Sequence, residues 1–124
     1  MIDFNNSSFV KMSKVNPDKL MKDIQPLLVN GEVLVGAYQA MRDYVVFTNK
    51  RVISVNVQGI TGKKRDFTSM PYSKISVFSI ETAGVLDLDS ELEMYFSGVG
   101  RVKFEFSGAS DVVQIGQLIA SYAL

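Results

Sequence analysis

The chain has 124 residues, of which 47% are hydrophobic, and this suffices for one compact domain with its own apolar core. It contains no cysteine, which excludes disulfide bonds, thiolate nucleophiles and metal sites built on cysteine. Its 13 basic side chains balance its 13 acidic ones, and this neutrality argues against a nucleic-acid partner held by bulk charge.

The sequence carries no recognisable export signal or membrane span. Residues 1–12 lack the basic start and the apolar run of a signal peptide, and no stretch approaches the ~18 consecutive apolar residues of a spanning helix. We therefore expect a cytoplasmic protein.

The first predicted element is a short amphipathic helix within an N-terminal segment, residues 1–30. Asn16 followed by Pro17 is the pattern of a helix cap with a proline in the first turn. Pro26 is expected to disturb this helix, and Gly31 follows its end. The apolar residues at helical spacing are Leu20, Ile24, Leu27 and Leu28.

From Glu32 onward the apolar period changes to two, which predicts antiparallel strands within a domain of residues 31–124. The first runs are VLVGAYQAM, YVVFT and RVISVNV, with very short breaks at residues 42–43 and 49–50. Arg51 is expected at the solvent end of the third strand. The apolar face of that strand is predicted to carry Ile53, Val55 and Val57.

The strand pattern continues beyond a turn at residues 59–62. A polar run, KRDFTSM, leads from this turn to an irregular corner at Pro71, after which ISVFSIET, ELEMYF and RVKFEF follow. A hairpin loop at residues 97–100 joins the last two runs. Their inward-facing residues are predicted to be Leu92, Met94, Phe96, Val102, Phe104 and Phe106.

The last predicted element is a second amphipathic helix, with Ser107 or Ser110 as its cap. Its apolar stripe consists of Val112, Ile115, Ile119 and Tyr122. The order helix, about seven strands, helix predicts a mainly β fold, in which the C-terminal helix closes one end of a twisted sandwich or partly open barrel.

The run DYVVFTNKRVISVNVQGITGKKRDFTSMPYSKISVFSIETAG resembles the bacterial pleckstrin-homology domain family, formerly a domain of unknown function. The resemblance covers roughly residues 30–124 and rests on FTNKRVI, QGITGKK and PYSKI…FSIETAG in that order. It implies a pleckstrin-homology-like roll of two nearly orthogonal sheets capped by the C-terminal helix. It also implies homo-oligomeric, ring-like assembly, with the N-terminal helix at subunit contacts. The chain lacks the tryptophan that animal domains typically carry in the closing helix, which weakens any transfer of their signalling functions.

Charge is distributed unevenly between the two halves of the predicted domain. Residues 31–75 hold seven cations against three anions, whereas residues 76–124 hold two cations against seven anions. The two halves either pair within one chain or form complementary surfaces on neighbouring subunits.

The stretch GITGKKR combines two glycines with a basic cluster. The glycines allow backbone N–H groups to converge on an anion, and the cations add attraction for a lipid head group or phosphate. The alternative is a solvated hairpin tip. In animal pleckstrin-homology domains the loop between the first two strands holds the lipid, but here that loop, residues 41–44, is very short, so the resemblance assigns no lipid residues. The candidate anion or lipid residues are Lys63, Lys64 and Arg65.

A run of alternating carboxylates begins like a calcium-binding loop, with Asp87, Asp89 and Glu91. The glycine and glutamate that such a loop needs further on are replaced by Leu92 and Gly98. We therefore interpret these residues as an exposed strand face that protects a sheet edge, and expect no metal or cofactor.

Catalysis is not expected, because the chain has neither histidine nor cysteine. Glu81 and the triplet Tyr72-Ser73-Lys74 remain, and adjacent side chains in extended backbone point to opposite faces. The sequence therefore predicts a non-enzymatic binding module that forms a homo-oligomer and binds a protein or peptide partner. The alternative is peripheral binding of anionic lipid head groups or phosphate through residues 63–65.

Overall fold

The computed structural model describes residues 1–5, 11–108 and 111–124. Within these residues the chain forms eight β-strands and two α-helices. The strands are β1 Ser13–Val15, β2 Leu34–Ala40, β3 Asp43–Thr48, β4 Arg51–Gln58, β5 Lys64–Pro71, β6 Val77–Glu81, β7 Ser90–Phe96 and β8 Gly100–Phe106. The helices are α1 Met21–Ile24 and α2 Val112–Ala123, and short 3-10 turns occupy Pro17–Lys19, Gln25–Leu27 and Tyr72–Lys74.

The strands form two antiparallel sheets, which confirms the predicted mainly β fold. One sheet has the order β1-β2-β3-β4-β5 and the other the order β6-β7-β8. The polar run behind the 59–62 turn is strand β5, which pairs with the whole of β4. The structure has one strand more than the seven that were predicted. The additional strand is β1, which belongs to the N-terminal segment and pairs with β2.

The main core lies between the two sheets and is closed by α2. The alternation predicted for the last two strands is confirmed, since all six inward residues are buried. Val112, Ile115 and Ile119 of α2 are buried against them, whereas Tyr122 is half-exposed and stacks on Tyr72. The C-terminal helix therefore seals this core, as predicted.

A second apolar cluster covers the outer face of the five-stranded sheet. Leu20 and Ile24 of the N-terminal segment pack there against sheet residues that include Ile53 and Val55. The predicted shared face of Ile53 and Val55 is thus confirmed, but Val52 on the opposite face is fully buried as well. The N-terminal segment is therefore part of the packed fold, because it converts β4 from a half-buried strand into a strand buried on both faces.

The N-terminal helix is shorter than its apolar spacing suggested. The Asn16 side chain accepts a hydrogen bond from the Asp18 N–H at 3.0 Å, as the cap pattern predicts, but the turn that it caps is a 3-10 turn. Only Met21–Ile24 is α-helical, and Pro26 lies in the following 3-10 turn. Gly31 has φ of 81°, a conformation that glycine adopts without steric cost.

Two local predictions are wrong. Ser107 does not cap α2, because its hydroxyl hydrogen-bonds Ser13 and the Met12 carbonyl and the residue at the cap position is Asp111. Ser110, the other predicted cap, lies outside the described residues. The carboxylates predicted to protect a sheet edge do not lie on one: Asp87 and Asp89 precede β7, and Glu91 is on β7, the central strand of its sheet.

No helix in the described ranges is long and apolar enough to cross a membrane.

Candidate functional site

The three cations predicted to bind anions do not converge. Lys63 lies in the turn before β5, and Lys64 and Arg65 are the first residues of that strand. Alternation places Lys64 and Arg65 on opposite faces. Arg65 lies on the outer face, with its guanidinium 3.7 Å from the Asp23 carboxylate of α1. Lys63 and Lys64 are exposed and have no ion-pair partner among the described residues.

A fourth cation, Arg42, joins this region from a different hairpin. Arg42 lies in the β2–β3 turn, and its Nη1 donates a hydrogen bond of 2.6 Å to the Gly59 carbonyl in the β4–β5 turn. Alternate turns of a meander lie at the same end of the sheet, and this topological signal would have found Arg42 from the sequence. We call the exposed cationic and large apolar side chains in and beside these two turns the basic corner; they are Met41, Arg42, Ile60, Lys63 and Lys64.

The basic corner combines positive charge with two apolar tips. The side chains of Met41 and Ile60 are 93% and 104% exposed, and neither packs against the core. This combination could not be predicted from either turn alone, because its residues come from two turns that are separated in the sequence. Exposed apolar side chains beside cations are typical of surfaces that contact an anionic membrane interface.

The glycines of the β4–β5 turn do not form a backbone cradle for phosphate. The Gly62 N–H donates to the Gly59 carbonyl at 3.3 Å, and the Lys63 N–H donates to Thr61 Oγ1 at 3.4 Å. Because the Gly62 and Lys63 amides already have acceptors, these two N–H groups are not free to bind an anion, and the attraction of the corner comes from its side chains. Its geometry therefore suits an extended anionic surface better than one enclosed phosphate.

Asp43, the anion next to Arg42, has a structural role. Its carboxylate accepts hydrogen bonds from the Val57 N–H at 2.8 Å and from the Asn56 side chain at 3.1 Å. Both bonds join the start of β3 to the end of β4. Asp43 therefore fixes the relative position of the two hairpins that form the basic corner.

A second polar assembly is buried at the opposite end of these hairpins. Nε and Nη2 of Arg51 donate hydrogen bonds of 2.9 Å to the two carboxylate oxygens of Glu32, whose side chain is 0% exposed. Thr48 Oγ1 donates to the same carboxylate at 2.7 Å, and Nη2 of Arg51 also donates to the Leu27 carbonyl at 2.7 Å. We call this assembly the Glu32–Arg51 clasp. The expectation that Arg51 lies in solvent is wrong.

The clasp explains the FTNKR motif in structural terms. Thr48 Oγ1 accepts hydrogen bonds from the Lys50 and Arg51 N–H groups, which shapes the β3–β4 turn. The Asn49 side chain accepts from the Val33 N–H and donates to the Gly31 carbonyl, so it holds the segment before β2 against this turn. The motif therefore stabilises the fold.

Ionisation of Glu32 is favoured by its surroundings. Burial raises the pKa of this carboxyl, but hydrogen bonds from Arg51, Thr48 and the Val29 N–H outweigh burial and hold the pKa below its ordinary value of 4.5. Glu32 is therefore a buried carboxylate whose charge is stabilised by Arg51 and by hydrogen bonds instead of by water.

The clasp holds in place a segment with several exposed aliphatic side chains. The pairing of β2 with β3 skips Val35 between Leu34 and Gly36, and this bulge leaves the Val35 side chain in solvent. The Glu32 N–H donates to the Val29 carbonyl and closes the turn before β2. We call these side chains the aliphatic patch; they are Leu27, Val29, Val33 and Val35, with exposures of 37%, 56%, 58% and 53%.

The carboxylates considered for calcium are used in ion pairs. Asp89 pairs with Lys11, and Glu91 pairs with Lys103 at 3.2 Å. Asp87 accepts the Asp89 N–H at 3.0 Å. No group of three metal-ligating side chains occurs in the part of the chain that the structure describes.

The residues considered for catalysis do not share a site. The Tyr72 hydroxyl is buried, donates to the Thr48 carbonyl at 2.7 Å and has a pKa raised by burial. Ser73 and Lys74 are exposed, and Glu81 lies at the end of β6.

The uneven charge of the two halves is not paired off within the chain. Among the described residues, no ion pair joins a cation of residues 31–75 to an anion of residues 76–124. Arg51 and Arg65 pair with Glu32 and Asp23, while the acidic half uses its own cations and Lys11 and Lys14. The excess charge of each half is therefore not neutralised by ion pairs with the other half within the described residues.

Comparison with known proteins finds relatives over almost the whole chain. Residues 3–123 match the sequence model of the family described as "Bacterial PH domain". The chain is 40% identical over 114 residues to the protein YjqA of Bacillus subtilis (strain 168), covering 90% of this chain and 91% of that protein.

Two solved structures have a similar fold. One is a DUF1696 family protein with a pleckstrin-homology domain from Shewanella loihica PV-4, with a TM-score of 0.77, 40% identity and coverage of 94% of this chain and 100% of that chain. The other is a pleckstrin homology domain from Shewanella amazonensis SB2B, with a TM-score of 0.64, 43% identity and coverage of 90% and 91%. These similarities extend over both sheets and the closing helix.

Proposed function

Because the chain belongs to the bacterial PH domain family, whose members are generally binding modules, we propose that it is a non-enzymatic scaffold that self-associates and binds a protein or peptide partner. The aliphatic patch carries this proposal. A cytoplasmic location and a ring-like assembly stay predictions.

The aliphatic patch has the properties of a protein contact surface. Four aliphatic side chains lie within residues 27–35 and leave a third to more than half of their surface in solvent. Several exposed aliphatic side chains within nine consecutive residues of a small domain are a candidate interaction site. The Glu32–Arg51 clasp and Asn49 hold the backbone beneath the patch, so little conformational entropy would be lost when a partner binds.

Light scattering after size-exclusion chromatography tests self-association through this patch. We expect the wild-type chain to have the mass of an oligomer and the double variant Val33→Lys/Val35→Lys to have a smaller mass. The matched control is Val85→Lys/Leu86→Lys, which places the same charges on exposed aliphatic residues of the β6–β7 loop. A wild-type mass of one chain at every concentration would contradict the proposal, as would equal losses of mass in both double variants.

A second function, binding to an anionic membrane surface, is favoured by the basic corner. Each exposed Lys or Arg contributes about 1 kcal/mol near an anionic membrane surface, and exposed apolar tips such as Met41 and Ile60 add contact with the interface. Three cations with two tips therefore give weak, salt-sensitive binding.

Co-sedimentation with phosphatidylserine vesicles at low and high salt tests this second function. Binding at low salt should disappear in Lys63→Glu/Lys64→Glu and weaken in Met41→Ser/Ile60→Ser. Lys50→Glu is the control, because Lys50 lies in the β3–β4 turn at the other end of the hairpins. If millimolar inorganic phosphate displaces the protein from the vesicles, the site binds phosphate instead. Vesicle binding that is unchanged at high salt would exclude the basic corner as the membrane-binding surface.

A further inference from the structure

Residues 1–5, which we call the N-terminal arm, lie across the gap between the two sheets. The arm places its side chains alternately, with Ile2 and Phe4 half-buried against the main core and Met1 and Asp3 exposed. It contacts β5 of the larger sheet and the β7–β8 hairpin of the smaller one. The arm is therefore seated like a short peptide ligand, with two inward side chains separated by one outward residue.

The main chain of the arm is held by three hydrogen bonds, two on β5 and one on β8. The Met1 ammonium donates to the Asp66 carboxylate of β5 at 2.7 Å and forms an ion pair with it. The Ile2 N–H donates to Thr68 Oγ1 of β5 at 2.9 Å. The Phe4 carbonyl accepts from the Arg101 N–H of β8 at 3.1 Å. Such main-chain bonds recognise an extended backbone whatever its side chains are, as in peptide binding at a sheet edge.

Two further features shape the site around Phe4. The Phe4 ring meets Phe96 edge-on, with ring centroids 6.0 Å apart and an interplanar angle of 78°. Gly100 has φ of 138°, and a Cβ at this position would lie 2.6 Å from the Phe4 carbonyl oxygen. The site is thus complementary to an aromatic residue, and the glycine leaves room for the main chain to approach.

The same edge of β8 accepts the chain's own N-terminal segment a second time. The Met12 N–H donates to the Glu105 carbonyl, and the Ser107 N–H donates to the Met12 carbonyl, both at 2.8 Å. Both ends of the β8 edge are therefore covered by residues that precede β1. An edge with main-chain donors and acceptors that pairs with added backbone is a template for peptide binding.

We propose that the groove lined by Thr68, Phe96, Gly100 and Arg101, which we call the arm groove, binds an extended segment of a partner protein with an aliphatic and an aromatic residue at alternate positions. The arm is the internal competitor for this groove. This inference rests on the proposed protein-binding function and names the class of partner. Because the arm belongs to the same chain as the groove, its effective concentration is about millimolar, and a partner binds strongly only when the arm is released.

The test uses the full-length chain with Phe4→Ala, which removes the aromatic contact of the arm and leaves the groove residues unchanged. The probe is a synthetic peptide of residues 1–5, amidated at its C-terminus and with a free amino terminus that can pair with Asp66, and the readout is the NMR shift of the Thr68, Gly100 and Arg101 amides. We expect saturable shifts in Phe4→Ala, and binding to the wild-type chain at least tenfold weaker. The same peptide with alanine in place of phenylalanine should cause no shift.

Two variants keep the test decisive. Thr68→Val in the Phe4→Ala background removes the acceptor for the peptide N–H and should weaken binding roughly fivefold. Ile2→Ser removes the other apolar contact of the arm. This variant is used in place of Phe4→Ala if Phe4→Ala fails to fold. Absence of saturable shifts in folded, arm-released protein overturns the inference, as does equal affinity for the wild-type chain. The light-scattering result for the aliphatic patch is independent of this outcome, so the two proposals fail separately.

Discussion

Replacing Arg51 with methionine removes the cation from the Glu32–Arg51 clasp while preserving most of the apolar length of the side chain. The variant loses both bonds to Glu32, the bond to the Leu27 carbonyl and the bond to Ser69. Glu32 keeps its donors from Thr48 and the Val29 N–H, but its carboxylate stays buried without a counter-charge.

Breaking a buried ion pair from one side costs about 3–5 kcal/mol, because the remaining charge is left uncompensated. Small domains have total stabilities of about 5–15 kcal/mol, so this loss is a large part of the whole. For a chain of this length it corresponds to a fall in Tm of roughly 10–20 °C. We therefore expect Arg51→Met to fold at 25 °C with a strongly lowered urea midpoint and Tm.

Urea unfolding followed by circular dichroism measures this loss, and a double-mutant cycle tests its cause. Glu32→Gln/Arg51→Met has no buried charge, so it should be at least about 1 kcal/mol more stable than Arg51→Met alone. Arg42→Met, which loses one exposed hydrogen bond to Gly59, is the control and should change stability by less than about 1 kcal/mol. A loss below about 1 kcal/mol for Arg51→Met, or a double variant less stable than Arg51→Met, would refute the reasoning.

Three further predictions concern stability and assembly. Folding lowers the pKa of Glu32, so ionised Glu32 contributes fully to the free energy of unfolding above its ordinary pKa of 4.5. This contribution is lost as the pH falls through the lowered pKa. The free energy of urea unfolding should therefore depend less on pH below about 4.5 in Glu32→Gln than in the wild type. The Tyr44 hydroxyl is buried without a hydrogen-bond partner among the described residues, and burial, with a smaller effect of the Asp23 charge, raises its pKa to about 12. Tyr44→Phe should therefore leave the thermal midpoint unchanged or raise it. A fall of several degrees would instead indicate that the hydroxyl bonds to Asp23. An oligomer formed through the aliphatic patch should persist when light scattering is repeated at high salt, whereas dissociation at high salt would assign assembly to the two charged halves.

The periodic parts of the fold could be predicted from the sequence because burial and alternation coincide there. In ELEMYF and RVKFEF every second residue is apolar, and each of these side chains points into the main core. The same argument failed to show that β4 is buried on both faces, since the covering residues Leu20 and Ile24 lie far away in the sequence. Alternation of apolar and polar residues predicts a strand with one buried face. Burial of the second face depends on tertiary contacts, which the local pattern does not contain.

Arg51 shows why charged residues were harder to predict. A cation next to a turn is usually solvated, and nothing local distinguishes Arg51 from Lys50. Its partner, Glu32, comes from the segment before β2, and the pairing depends on the way the β3–β4 turn lies against that segment. Arg42 was missed for the same reason, because its contact with Gly59 joins two different hairpins.

The most direct test of the central claim, that the chain self-associates through its aliphatic patch, uses single cysteines, since the native chain has none. Val35→Cys places a thiol within the patch, and Ile60→Cys places one on the basic corner, where the native side chain is also exposed. Both variants are treated with a bulky maleimide over a range of protein concentrations. We predict that labelling of Val35→Cys slows as the concentration rises while labelling of Ile60→Cys does not. Equal, concentration-independent rates for the two thiols would contradict the claim.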